Sequence, residues 1–223
     1  IPWVGGFISI LATYKTEEAS LKQNTLQNQW LNEHQIKIFH LQETLDEIQK
    51  RFETLGVATI EDRLQSEEYL MLVRQGFRAW DEAITVEKRQ FITNIITNSA
   101  ATRVCSDDVV RLFIDWIELY HEAHFAIIRE IFQNPGSTRY DIWSNLYGEL
   151  PREDSTKADL FKLLIRDLST GSIIRQERDV NQLGQFVKTR PTRQYKGPSS
   201  AVFKSAFEHS EAYVLTELGK QFV

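Results

Sequence analysis

Apolar positions recur with a helical period through the first half of the chain. From Glu17 to Leu55 the sequence contains neither proline nor glycine, and Gly56 follows where a helix terminator is expected. Within this run, the positions that recur at alternating spacings of three and four are Leu31, His34, Ile38, Leu41, Leu45, Ile48, Phe52 and Leu55. Such a heptad seam predicts a coiled-coil-like helix over residues 17–55 that packs against another long helix.

The partner of this seam is either a second subunit or a later helix of the same chain. The e positions of the heptad are Gln35, Gln42 and Gln49, which carry no charge that would select a partner. Both alternatives therefore stay open. In the first of them, the residues available for self-association in a dimer are Leu31, Ile38, Leu41, Leu45, Ile48, Phe52 and Leu55.

Shorter amphipathic helices are predicted between residues 59 and 132. A residue whose side-chain oxygen can satisfy the free N–H groups of a helix start precedes each of them, at Thr59, Ser66, Thr85 and Ser106. The apolar residues that follow include Leu64, Leu70, Val73, Phe77, Trp80, Ile84, Phe91, Ile92, Ile95, Ile96, Phe113, Trp116, Tyr120 and Phe125. We interpret the aromatic side chains from Phe113 onwards as core, and the four residues from Phe91 to Ile96 as the buried face of their helix.

The second half changes pattern after a break at residues 134–136. Ser137 or Thr138 can cap a short helix, and Ser155 or Thr156 can cap a longer one that ends at Gly171. The apolar positions of the longer helix are Leu160, Leu163, Leu164 and Leu168. The stretch "SIIRQERD" then predicts a strand that enters a hairpin, and "AYVLTELGKQFV" predicts a strand at 213–215 followed by a final helix that begins at Thr216.

This order of elements, with the string "LSTG" before the first strand and "YVLTELGKQF" at the end, resembles the winged-helix (winged helix-turn-helix) domains of bacterial regulators. The resemblance covers about residues 122–223. The expected fold class is mainly α, with a long-helix, coiled-coil-like region over 1–121 and a winged-helix α+β domain with a small β-hairpin over 122–223. One departure is an insertion at 180–212, which replaces a short wing and is predicted to include a small helix, "SSAVFKSAFEHS".

The resemblance implies DNA binding through the helix over 155–168. Its cations are Lys157, Lys162 and Arg166, which are offset by Asp154, Asp159 and Asp167. The insertion has a clearer positive excess, since "FVKTRPTRQYKG" contains no acid and carries Lys188, Arg190, Arg193 and Lys196. This basic arm is predicted to enter a minor groove or to lie on phosphates, and a solvated loop is the alternative.

Charge and composition limit the remaining possibilities. The chain has 26 Lys and Arg against 31 Asp and Glu, a net charge of -5, so nucleic-acid binding requires a local basic patch. Residues 1–121 hold 12 basic and 18 acidic side chains, whereas residues 122–223 hold 14 and 13. The single cysteine, Cys105, excludes an internal disulfide and fits a reducing compartment, so we expect a cytoplasmic protein.

The first fourteen residues, "IPWVGGFISILATY", are uncharged. No basic residue precedes them, so they do not predict a secretory signal, and as a helix they would span roughly 21 Å of a ~30 Å bilayer core. Apolar residues recur at helical spacing in this segment, which favours a packed amphipathic helix over membrane contact through residues 1–14. The alternative function is a membrane-associated effector whose winged helix contacts protein.

Candidate catalytic and metal residues are few. "HEAH" places His121 and His124 three positions apart near Glu118 and Glu122, but this is not the spacing of zinc proteases, and structural histidines are the preferred interpretation. Cys105 has no identifiable base partner and is expected to be an inert thiol. The sequence contains no phosphate-binding glycine loop and no nucleophile elbow. We therefore expect a non-enzymatic protein that needs neither a metal nor another cofactor.

Overall fold

A computed structural model describes residues 25–101, 105–178, 181–183, 185–187 and 205–223. The chain divides between Leu119 and Tyr120 into two compact units, which we call unit 1 and unit 2. The described residues are mainly helical, and they include one small antiparallel sheet of three strands. The sequence predicts a boundary two residues later, after His121.

Five helices of the described residues belong to unit 1. They are α1 (Thr25–Leu55), α2 (Val57–Gln65), α3 (Glu67–Glu82), α4 (Val86–Ala101) and α5 (Asp107–Leu119). Helices α3, α4 and α5 pack against one another, and α1 packs against α2 and α4. The core of unit 1 therefore lies among these helices, with Tyr69, Ile92 and Ile114 wholly buried.

The heptad seam of α1 is used in part within the chain. Leu45, Ile48 and Phe52 are 0% exposed. These three side chains therefore pack within the chain and are not available to a second subunit. Leu55 is 43% exposed, and Ile38 and Leu41 are half-buried. The side chain of Leu31, together with residues 17–24 of the predicted helix, lies outside the described residues. Self-association through the four positions other than Leu45, Ile48 and Phe52 stays a prediction.

Most of the predicted helix starts in unit 1 are observed. The Ser66 hydroxyl accepts a hydrogen bond from the Tyr69 N–H at 3.3 Å, and the Thr85 hydroxyl accepts one from the Lys88 N–H at 3.4 Å. The predicted start at Thr59 is wrong, because α2 already begins at Val57. Gly56 reverses the chain there with φ 80°, a left-handed value that glycine adopts without steric cost, so α2 follows α1 directly.

Unit 2 alternates helices and strands. Its elements are α6 (Glu122–Gln133), β1 (Ser137–Thr138), α7 (Arg139–Tyr147), α8 (Thr156–Thr170), β2 (Ile174–Gln176), β3 (Ala212–Leu215) and α9 (Glu217–Phe222). The sheet has the order β1-β3-β2, with β3 antiparallel to both neighbours. Ser137 lies opposite Tyr213, and Ile174 lies opposite Leu215. The strands predicted from "SIIRQERD" and "AYVL" therefore pair with each other.

The core of unit 2 lies between α6, the sheet and the helices α7 and α8. Ile127, Ile142 and Leu168 are 0% exposed. An aromatic cluster joins α7 and α8 to the returning end of the insertion: the ring centroid of Trp143 is 5.3 Å from that of Phe161 and 5.1 Å from that of Phe207. This packing connects α8 to α7 and to the end of the insertion.

Two predicted features fall partly or wholly outside the described residues. The apolar segment 1–14 lies outside them. Of the small helix predicted within 199–210, residues 205–210 form a turn and bends instead, because Glu153 holds them by accepting hydrogen bonds from the Ser205 hydroxyl and the Ala206 N–H. Among the described residues, no helix combines the length and the apolar character needed to cross a bilayer.

Candidate nucleic-acid interface

Helix α8 is the element for which the sequence predicted a DNA contact. It begins at the Ser155 cap, whose hydroxyl accepts a hydrogen bond from the Ala158 N–H at 3.3 Å, and it ends at Gly171. Its buried face packs towards α6 and β2. The buried residues are Ala158, Phe161, Leu164, Ile165 and Leu168. Their spacing leaves the opposite face of the helix in solvent.

The three predicted cations of α8 are exposed, and two of them lie beside acids. The Lys162 ammonium is 3.9 Å from carboxylate oxygens of both Glu153 and Asp159. Arg166 is 71% exposed at its side chain, and its Nε lies 3.6 Å from an Asp167 oxygen. Lys157 is exposed on the first turn. The helix therefore presents cations whose field its own acids partly cancel, so it needs a further source of positive charge.

Two leucines of α8 do not belong to its buried face. Leu160 is 50% exposed and Leu163 is 39% exposed, although both are among the apolar positions that the sequence pattern gives this helix. With 3.6 residues per turn, the buried stripe through Ala158, Phe161 and Leu168 turns these two side chains towards solvent. The exposed face of α8 is consequently mixed, with apolar as well as charged side chains.

A concave surface beside α8 collects four arginines from different parts of unit 2. Arg139 comes from the start of α7, Arg166 from α8, Arg175 from β2 and Arg178 from the segment after β2. The cavity they line has a volume of about 390 Å³. Its other lining residues are Ile165, Ser169, Ile174, Gln176 and Tyr213. No carboxylate is among these lining residues, and we call this surface the arginine groove.

Aromatic rings orient three of the four guanidinium groups. The Nε of Arg139 donates a hydrogen bond to the Tyr213 hydroxyl at 2.9 Å. The guanidinium carbons of Arg175 and Arg178 lie 4.7 and 5.8 Å from the centroid of the Phe186 ring. Cation–π contacts of this kind hold a guanidinium in place without neutralising its charge.

Acids lie close to the groove without lining it, and among them Glu217 interacts electrostatically with Arg175. Asp167 contacts Arg166, as described above, and Glu211 accepts a hydrogen bond from the Gln176 side chain. Within the described part of unit 2, Arg139, Arg175 and Arg178 form no ion pair. The groove is therefore strongly positive although the whole chain is acidic.

The predicted basic arm, Lys188, Arg190, Arg193 and Lys196, lies outside the described residues. The described residues before it end with Phe186 and Val187, and Phe186 contacts two arginines of the groove. After it the description resumes at Ser205, and Phe207 packs into the aromatic cluster with Phe161 of α8, at a centroid distance of 5.7 Å. The described residues that precede the arm therefore contact the arginine groove.

Arg139, Arg175 and Arg178 are absent from the site predicted from the sequence. Two of them stand in "SIIRQERD", the stretch predicted as a strand, but the two-residue period of a strand would put positions 175 and 178 on opposite faces, so the pattern did not indicate that they converge. Arg139 gave no signal either. It joins the others only because β3 pairs with both β1 and β2 and brings Tyr213 next to it.

His121, His124 and Cys105 are the residues that the sequence offered for metal binding or catalysis. The Nδ1 of buried His124 accepts a hydrogen bond from the His121 N–H at 3.1 Å, which closes the first turn of α6. Among the described residues, no group of three or more His, Cys, Asp or Glu has an arrangement that could hold a metal ion. Burial raises the pKa of the Cys105 thiol, which favours the unreactive protonated form.

Comparisons with protein-family models, with curated proteins and with solved structures find no match to this chain.

Proposed function

We propose that unit 2 is a winged-helix module that binds DNA, with α8 in the major groove and the arginine groove on the phosphate backbone. The order α6, β1, α7, α8, β2, β3 is the order expected from the winged-helix resemblance, with β1 as an additional short strand. Pairing of β2 with β3 supports the proposal, because it supplies the hairpin that the resemblance requires beside α8.

The observation that carries the proposal is the convergence of four arginines on one concave surface beside α8. Guanidinium groups bind phosphate oxygens through two parallel hydrogen bonds and keep their charge at all accessible pH values. Because no acid lines the groove, its local field attracts a polyanion even though the chain has a net charge of -5. The balanced charge of α8 suits base contacts better than backbone contacts.

The basic arm extends this surface in the proposed complex. It begins two residues after Phe186, which contacts Arg175 and Arg178. Lys188, Arg190, Arg193 and Lys196 would then continue the row of cations along the backbone or into the minor groove. A regulatory, non-enzymatic role, as expected from the sequence, is part of this proposal.

Duplex binding measured across a range of salt concentrations tests the arm. Replacement of Arg190 and Arg193 by Gln removes two phosphate contacts. We expect the slope of log K against log[salt] to fall by about two units, together with the affinity. The measurement is fluorescence anisotropy of a labelled duplex from roughly 50 to 200 mM salt.

The matched control replaces Arg74 and Arg152 by Gln, which makes the same change in net charge. Both are exposed, Arg74 lies on α3 of unit 1, and Arg152 pairs with Asp154 at 2.8 Å. The control should keep the wild-type slope. Equal slopes and affinities for wild type and the Arg190, Arg193 variant would remove the arm from the interface.

Protein contact through α8 is the second candidate function. The exposed side chains of Leu160 and Leu163 favour it, because an apolar pair on a helix face is typical of protein interfaces. The same titrations separate the candidates. If α8 contacts protein instead of DNA, the wild type binds duplex no more tightly than the charge-reduced variants at every salt concentration.

A further inference from the structure

Arg175 carries a buried donor that lacks an acceptor. It lies at the centre of β2, opposite Val214, and its Nη1 is buried without a hydrogen-bond partner among the described residues. A buried N–H of a charged group that makes no hydrogen bond is destabilising, and ordered water or a bound ion can satisfy such a donor when the protein does not. The nitrogen belongs to a residue that lines the arginine groove.

The surroundings of Arg175 are arranged in advance of binding. Phe186 lies against its guanidinium at 4.7 Å, and the Tyr213 hydroxyl fixes the Nε of Arg139 at 2.9 Å. The Ser169 hydroxyl also reaches the lining, where it donates to the Ile165 carbonyl at 2.7 Å and can accept a further hydrogen bond. A site whose donors are already oriented loses little entropy when an anion binds.

Charge density and size identify the anion. Asp167 offsets part of the charge of Arg166 and Glu217 interacts electrostatically with Arg175, but four guanidinium groups and no carboxylate line the cavity of about 390 Å³. A phosphodiester brings one negative charge, whereas a terminal phosphate carries about -1.5 to -2 at neutral pH, and a diphosphate or triphosphate carries more. The volume lies in the range of pockets that hold small ligands, about 300–1,000 Å³.

We propose that the arginine groove binds a terminal phosphate group, carried either by a free nucleoside polyphosphate or by the 5′ end of a nucleic acid. The second source rests on the proposed DNA-binding function, and the first does not. Arg175 is the central ligand, and Arg139 and Arg178 flank it. Ile165 and Ile174 form the apolar part of the lining.

Isothermal titration calorimetry of the full chain with inorganic pyrophosphate and with adenosine triphosphate tests the pocket. Adenosine, which lacks the phosphates, is the ligand control. We expect both phosphate probes to bind wild type and adenosine not to bind. Arg175→Gln and Arg178→Gln should each weaken pyrophosphate binding about tenfold or more, the usual effect of losing a charged hydrogen bond. Arg152→Gln, whose partner is Asp154, should bind as wild type does.

Folding of the variants is checked by thermal unfolding. Arg178 is exposed and follows β2, so Arg178→Gln keeps the test informative if Arg175→Gln does not fold. The proposed phosphate site is refuted if wild type binds neither pyrophosphate nor adenosine triphosphate. It is also refuted if wild type and the folded Arg178→Gln variant bind these probes equally.

Duplexes with a 5′ phosphate or a 5′ hydroxyl distinguish the two sources. Tighter binding of the phosphorylated duplex, lost in Arg178→Gln, assigns the pocket to nucleic-acid ends. Pyrophosphate binding without any duplex binding supports the pocket while refuting the proposed DNA contact. If the protein binds both duplexes equally and binds no pyrophosphate, the proposed DNA contact stands and the proposed terminal-phosphate site is refuted.

Discussion

Gly171 is required by close packing and not by backbone conformation. Its φ is -70°, a value that any residue adopts, so a side chain here meets no backbone strain. A Cβ at this position would instead lie 2.0 Å from the Tyr120 hydroxyl oxygen. Tyr120 is 3% exposed and its hydroxyl donates to the Asp167 carbonyl at 3.5 Å, so it cannot move without cost.

Gly171→Ala should therefore lower the free energy of unfolding by about 1–3 kcal/mol, as overpacking of a buried site usually does. In a Tyr120→Phe background the clashing oxygen is gone, and the nearest atoms are then 3.3 Å away. We expect a coupling energy of about 1 kcal/mol between the two substitutions in a urea-unfolding double-mutant cycle. Additive effects would show that the contact does not limit this site.

At the scale of one element, the start of α7 is held by a reciprocal pair. The Asp141 carboxylate accepts hydrogen bonds from the Thr138 hydroxyl at 2.6 Å and from the Thr138 N–H at 2.9 Å. The Thr138 hydroxyl in turn accepts one from the Asp141 N–H at 3.3 Å. This is a capping box, and it also ends strand β1 at Thr138.

These hydrogen bonds make the stability of α7 depend on pH. The Thr138 side chain, and then its backbone N–H, lower the pKa of the Asp141 carboxyl below its ordinary value. A lowered folded-state pKa stabilises the protein above the unfolded pKa of about 3.9, and this contribution is lost as pH falls through the folded pKa.

Asp141→Asn should therefore be less stable than wild type at neutral pH, by about 1 kcal/mol, the usual size of a helix cap. The two proteins should converge as pH falls below about 4. Urea midpoints between about pH 2 and 7 measure both quantities. Glu149→Gln is the control, because Glu149 is exposed and its side chain caps no helix. Parallel curves for wild type and Asp141→Asn would contradict the assignment.

At the scale of the whole molecule, each unit has a hydrophobic core of its own. The wholly or almost wholly buried side chains of unit 2 include Ile127, Ile131, Ile142, Phe161, Leu168, Ile173, Ile174 and Tyr213. A segment that has its own core, and that contributes every strand of its sheet, satisfies the usual conditions for independent folding.

Residues 120–223 expressed alone should consequently unfold cooperatively. We expect a sigmoidal thermal transition in far-ultraviolet circular dichroism and dispersed amide resonances in NMR spectra. The full chain measured in parallel is the reference. A broad, non-cooperative transition of the fragment would show that unit 2 depends on the rest of the chain.

Local signals in the sequence were sufficient for much of the secondary structure. The helix starts at Ser66 and Thr216 were predicted correctly, and Ser155 is one of the two starts predicted for α8, because a cap depends only on a hydroxyl and the N–H groups within three residues of it. The start at Thr59 failed because the helix begins directly after Gly56, without a side-chain cap. Strand β1 was not predicted, since two residues carry no periodicity and are strand only through pairing with β3.

The apolar pattern of α8 did not predict which of its leucines are buried. Leu160 and Leu163 fit a helical apolar stripe as well as Leu164 and Leu168 do. Which stripe is buried depends on the position of α6 and β2, and these elements select the one that includes Phe161. The same holds for α1, whose seam did not reveal that Leu45, Ile48 and Phe52 pack within the chain.

The sequence by itself determined the mainly helical class, most of the helix caps and the strands β2 and β3, because each depends on residues a few positions apart. The tertiary structure decided which apolar faces are buried, and it assembled the arginine groove. Arg139 and Tyr213 are 74 positions apart, and a chain brings such residues together only through the pairing of β1 with β3. Long-range pairing depends on the sum of many weak contacts, which no short stretch of sequence contains.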